Sequence, residues 1–189
     1  RQCQAVSGEG PNADMFSFLG FEWTQVGALP SEHYGHKNVI FQDLDDDKVS
    51  ARPIASSGAA FEALRQSFPT FPVAITLIEG TDSLAYADMN AFLGEIRAST
   101  ICDPSIPSSE LPLDCVEVAA NPGELLARLE QQGLDPLVIP HGSTWGFYTP
   151  TGTSWDKQLK ADMRPERMNA IEIYSGHGNS EEYRSWRSV

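Results

Sequence analysis

Apolar positions alternate with polar ones in some stretches of the chain and recur every three or four residues in others, and these two periods separate strands from helices. Residues 15–23, Met15-Phe-Ser-Phe-Leu-Gly-Phe-Glu-Trp, are aromatic and partly alternating. They predict a strand that leaves Glu22 at its carboxyl end. A polar loop holding His33 and His36 follows, and residues 38–42 predict a second strand. Apolar residues at helical spacing predict helices over 58–68 and 84–99, while 72–78 fits either a strand or a short buried helix. The clearest helix is 121–133, where Asn121 suits the N-cap, Pro122 the first turn and Gly133 the position just past the end. It runs into Leu137-Val-Ile, a short buried strand that Pro140 is expected to end for want of an N–H. His141 then stands at the strand's carboxyl end, before Gly142. A Gly/Thr/Pro loop, a short helix over 155–163 and a last strand over 169–174 complete the pattern. The order of strand, strand, helices, strand, helix, strand predicts an α/β domain, layered or barrel-like.

Composition narrows the class. At 189 residues, 41% of them hydrophobic, with 13 prolines and 15 glycines, the chain suits one domain with many turns. No apolar run approaches the roughly 20 residues of a membrane span. A formal charge of −13 argues against a nucleic-acid partner, whose phosphates it would repel. A phosphorylated substrate stays open, because a bound divalent ion inverts the local field. The start at Arg1 without Met and the charged helical pattern at the other end read as cut ends, so the expectation is a piece of a longer protein. Cys102 and Cys115 bracket a Pro- and Ser-rich loop too long for a zinc pair. They form either a disulfide, which would favour an oxidising compartment, or two free thiols.

The candidate chemistry lies in the histidines. All four, His33, His36, His141 and His177, fall in Gly-rich loops at or near predicted strand ends, and Glu22 and Glu172 accompany them. Histidine and carboxylate gathered at the ends of several parallel strands make the ligand set of a hydrolytic metal site. Other chemistries fit less well. Neither Ser143 nor Ser180 has the spacing of a nucleophile elbow, and no Walker loop or dinucleotide fingerprint occurs. The acidic stretch 43–48 opens like a calcium loop, but Lys48 stands where glycine is required and Ile54 where the final glutamate should be.

Two long motifs carry a resemblance: Ile139-Pro-His-Gly-Ser-Thr-Trp-Gly-Phe-Tyr-Thr-Pro, and Ile171-Glu-Ile-Tyr-Ser-Gly-His-Gly-Asn-Ser-Glu-Glu-Tyr-Arg. Trp155-Asp-Lys-Gln-Leu lies between them, and residues 18–26 and 33–40 supply two earlier motifs. Together they resemble a bacterial family of unknown function that is similar to the polymerase and histidinol phosphatase (PHP) superfamily. The resemblance implies part of a distorted β/α barrel, incomplete at both ends, with residues 1–189 as one incomplete domain. It also implies two or three divalent metal ions (zinc, manganese or iron) in the complete domain. Glu22, His36 and His141 match metal ligands, whereas His33 has no counterpart and is taken as a loop residue. Glu172 and His177 match pocket positions, and Trp145 and Lys157 are further candidates for substrate contact. The superfamily's opening His-x-His and Thr-Asp-His and its closing Asp-x-His are not in this sequence.

The expected function is therefore a fragment of a metal-dependent hydrolase, a phosphoesterase by the resemblance, acting on a small-molecule substrate through metal-activated water. A location in the periplasm or outside the cell is expected, and the piece alone should be inactive. The alternative is a secreted, non-catalytic binding domain that offers Trp145, Tyr148 and Trp155 as an aromatic platform for a sugar or peptide.

Overall fold

A three-stranded antiparallel sheet organises the chain. The computed structural model of the protein describes residues 8, 12–66, 83–143, 149–155, 164–176 and 178–179. In chain order its elements are β1 (Gly20–Gln25), β2 (Gly35–Ile40), β3 (Ala55–Ser56), α1 (Ala59–Arg65), α2 (Ser83–Ala98), β4 (Thr100–Ile101), β5 (Cys115–Val116) and β6 (Val118–Ala119). They continue with α3 (Pro122–Gln131), β7 (Leu137–His141), β8 (Tyr174–Ser175) and β9 (Gly178–Asn179). The main sheet has the order β1-β2-β7, and the remaining strands pair two by two, β3 with β6, β4 with β5 and β8 with β9.

The register of the main sheet decides which side chains share a face. Gly20, Ile40 and Leu137 form one row across the three strands; Glu22, Asn38 and Ile139 form the next; Thr24, His36 and His141 form the third. Because side chains alternate along a strand, all nine positions belong to one face. The other face carries Trp23, Val39 and Val138, each fully buried, which pack with Leu125, Leu126 and Leu129 of α3. Trp23 also donates its indole N–H to the Ala119 carbonyl (3.3 Å), tying the sheet to β6. Lys37 is fully buried on this apolar side. Its ammonium donates to the Tyr34 carbonyl (2.8 Å) and lies 5.2 Å from the Trp23 ring centre, so a cation–π contact and a hydrogen bond replace its water.

The caps foreseen for α3 are present. The Asn121 side chain accepts from the Glu124 N–H (2.9 Å), Glu124 reaches back to the Ala120 N–H (2.6 Å), and Gly133 takes φ +72° just beyond the helix. Helices also occupy Ala59–Arg65 and Ser83–Ala98, close to the expected ranges. The expected segment 72–78 and all but the first residue of the expected helix 155–163 lie outside the described residues.

The expectation of part of a distorted β/α barrel is wrong. The described residues hold three α-helices and short strands in small sheets, and no barrel closes among them. The error concerns strand direction. Residues 26–34 join β1 to β2 with no helix between them, so the chain reverses and the pair is antiparallel. A parallel pair needs a long crossover. Alternation of apolar residues is the same in both cases and does not report direction.

Four boundaries also move. The second strand spans Gly35–Ile40 rather than 38–42, which puts His36 in the strand and not in the loop before it. The first strand begins at Gly20 rather than at residue 15, which places Glu22 in mid-strand; Phe16 and Phe18 precede it, largely exposed. Pro140 does not end β7 but pairs with Lys37 inside it. Here β7 is the outer strand, and the backbone groups of Val138 and Pro140 turn away from β2: the Val138 N–H donates to Arg167 (2.8 Å), and the Pro140 carbonyl accepts from Glu172 (3.1 Å). The missing proline N–H thus falls on the edge where the ladder does not need it. Residues 169–174 form no full strand; only Tyr174 and Ser175 pair, with Gly178 and Asn179.

Cys102 and Cys115 are joined by a disulfide, with Cα atoms 5.0 Å apart. The Arg52 guanidinium sits against the closed loop, donating to the carbonyls of Leu111 (2.9 Å) and Pro112. Among the described residues no helix is long and apolar enough to cross a membrane.

Candidate metal centre

Strand register brings Glu22, His36 and His141 together. His36 and His141 are direct cross-strand neighbours, and Glu22 lies diagonally from His36 on the same face. One donor atom from each of the three can be chosen so that all lie within 4.8 Å of one another. The two imidazole rings stack, with centres 5.1 Å apart and planes inclined by 17°. Both histidines are almost fully buried, while the Glu22 side chain is 41% exposed.

The hydrogen bonds orient the group. Glu22 Oε1 accepts from His36 Nδ1 at 2.6 Å and from the Thr24 hydroxyl at 3.0 Å, and Thr24 also lies 2.9 Å from the same imidazole nitrogen. His141 turns Nε2 toward Glu22 Oε1 (3.9 Å) and Nδ1 toward Glu172 Oε2 (3.8 Å). Partial burial pushes the Glu22 carboxyl upward. The Thr24 hydrogen bond, the charge and hydrogen bond of His36 and the charge of His141 outweigh it and hold the carboxyl below the ordinary glutamate range.

The donor set suits a divalent transition metal. Two imidazoles and a carboxylate, with the fourth position left to water or substrate, are a catalytic zinc-type combination. Bonds of about 2.0–2.2 Å in a tetrahedral site put donors about 3.3–3.6 Å apart. The 3.9 Å between His141 and Glu22 is near that spacing, and the 2.6 Å between His36 and Glu22 is too short. Rotating the half-exposed Glu22 side chain outward opens it without disturbing the buried rings. Glu172, beside the far nitrogen of His141, stands where a carboxylate orients a ligating imidazole.

Of the expected substrate contacts, only Glu172 is described, and it lies against His141. Trp145, Lys157 and His177 lie outside the described residues, as does Tyr148 of the proposed aromatic platform. Two contributors, Thr24 and His33, have no role at the site in what the sequence leads one to expect. Thr24 was legible in principle, being two residues from Glu22 on one strand and so on the same face. His33, taken as a loop residue, is buried and donates Nε2–H to the Gly142 carbonyl (3.2 Å), pinning the chain next to His141. Gly35 completes that lock: its φ is +66°, and a Cβ there would lie 2.7 Å from the carbonyl oxygens of both His141 and Gly142.

No family model, curated protein or solved structure matches the chain.

Proposed function

We propose that this chain carries a divalent-metal site made by Glu22, His36 and His141 and belongs to a metal-dependent hydrolase. The observation that supports this reading is the convergence of three donors from three different strands on one sheet face. Glu172 is the positioning carboxylate for His141, a role closer to the metal than the substrate contact expected from the sequence. A bound ion supplies Lewis-acid polarisation of the substrate and a water nucleophile at neutral pH. The chain's own part is to orient the two imidazoles, to hold Glu22 ionised, and to keep the rings out of bulk water.

A phosphoester as the bond cleaved follows from the resemblance alone. The periplasmic or extracellular location is supported by the disulfide, which persists in an oxidising compartment.

One contact favours a second reading. The 2.6 Å pairing of Glu22 with His36 is also that of a carboxylate–imidazole general base working without metal. Metal content by mass spectrometry, after loading with zinc or manganese and dialysis, separates the two. The metal reading requires retention of the ion by the native sequence and its loss in His141→Ala. Equal retention by both would defeat it, and activity without any divalent ion would favour the general base.

A further inference from the structure

Two rows along the sheet from the histidines lies a pocket of about 460 Å³. That size falls within the range of small-molecule sites. Its floor includes Ile40 and Leu137, which are cross-strand neighbours on the histidine-bearing face, and Phe18, which leads into β1. Its rim carries Asp135, Glu166 and Asn169. From Ile40 to His36 is four residues of strand, about 13 Å at roughly 3.3 Å per residue, with Asn38 and Ile139 between.

The two charged residues that line this pocket, Asp135 and Glu166, are both acidic. Asp135 is paired with Arg167 (3.0 Å), but Glu166 has no ion pair with a described residue. Among the described residues no lysine or arginine lines the pocket, and none occupies the nine positions of the histidine-bearing face. An anionic group there would meet Glu166 with no cation among the described lining residues to offset it, while an ammonium would be attracted. The chain's net charge of −13 acts in the same direction.

We propose that this pocket binds an apolar organic cation, with a hydrocarbon or aromatic body on Phe18, Ile40 and Leu137 and its ammonium end at Glu166. Resting on the hydrolase reading above, this ligand is the distal part of the substrate, whose labile bond reaches the Glu22–His36–His141 group about 13 Å away.

The test uses 2-phenylethylammonium and 3-phenylpropionate as probes of matched shape and opposite charge. Titration of the metal-free protein, followed by NMR or calorimetry, is expected to show binding of the ammonium probe and much weaker binding of the carboxylate. Glu166→Gln and Phe18→Ala alter exposed residues and so leave the fold intact. Each should weaken the ammonium probe at least several-fold. Equal binding of both probes, no binding, or binding indifferent to both substitutions would overturn the proposal. A second arm loads the protein with Mn²⁺ and reads relaxation of the bound probe's protons. Broadening that corresponds to about 10–15 Å supports the placement derived from strand spacing. Bound Mn²⁺ without broadening would overturn it. Failure of Mn²⁺ to bind would instead remove the hydrolase reading, and the metal-free titration would still decide the pocket.

Discussion

Glu22 and His36 lie diagonally across the β1–β2 pair, and their side chains meet at 2.6 Å although their cross-strand partners are Asn38 and Thr24. The contact arises because one side chain is long and its neighbour on the same face, Thr24, is short enough to let it pass while bonding to both. His141, directly opposite His36, completes the group from the third strand.

Metal affinity should rank the surrounding residues. Glu172→Gln is expected to weaken binding by about 10–100-fold, the usual effect of removing a carboxylate that orients a ligating histidine. His141→Ala removes a ligand and should weaken it further. Competition titrations with a chelating indicator give both values. Equal losses in the two variants would show that Glu172 does not act through His141.

Acid should release the metal, because imidazole nitrogens bind only when deprotonated. In the metal-free protein Glu22 has its own signature. A carboxyl whose folded pKa lies below its unfolded value contributes stability above the ordinary glutamate range and loses that contribution as pH falls through the lowered value. Glu22→Gln should therefore lower the melting temperature at about pH 7 and differ less from the parent at about pH 3. A gap of the same size at both would assign the effect to packing rather than charge.

Glu117 is buried between Arg52 (3.9 Å) and Arg128 (3.8 Å), with Ser108 and Gln132 bonding its oxygens. Removing it leaves two guanidinium groups without their shared anion in a poorly hydrated place. Glu117→Ala is expected to cost about 3–5 kcal/mol, measured by urea unfolding. A loss under about 1 kcal/mol would mean that water already reaches the arginines.

Cysteine chemistry can be counted directly. Unfolded without reductant, the chain should titrate one thiol, that of Cys3, out of its three cysteines, since Cys102 and Cys115 are bonded. Reduction should lower stability by up to about 3 kcal/mol through the freed loop. Three free thiols in protein purified under air would remove the support for an exported location.

Much of the local structure was legible in the sequence, because it depends on near neighbours. Asn121, Pro122 and Gly133 mark the ends of α3 through hydrogen bonds and dihedral preferences that act over a few residues. The separation of Trp23 from Glu22 follows from alternation alone, whereas His36, expected in the loop before the second strand, joins the Glu22 face only because β2 begins at Gly35. Glu22, His36 and His141 were identified as candidates because histidine and glutamate stand beside apolar strands.

Tertiary structure decided what alternation cannot express. Strand direction, the place of Pro140 on an outer edge, and the row that joins Thr24, His36 and His141 all depend on pairing between distant segments. So does the position of Glu172, which reaches His141 only because its N–H bonds to the Pro140 carbonyl. A one-residue slip of β7 against β2 would turn His141 away from His36 and toward the apolar core. The sequence by itself determined which residues could bind a metal; the register of three antiparallel strands determined which of them meet.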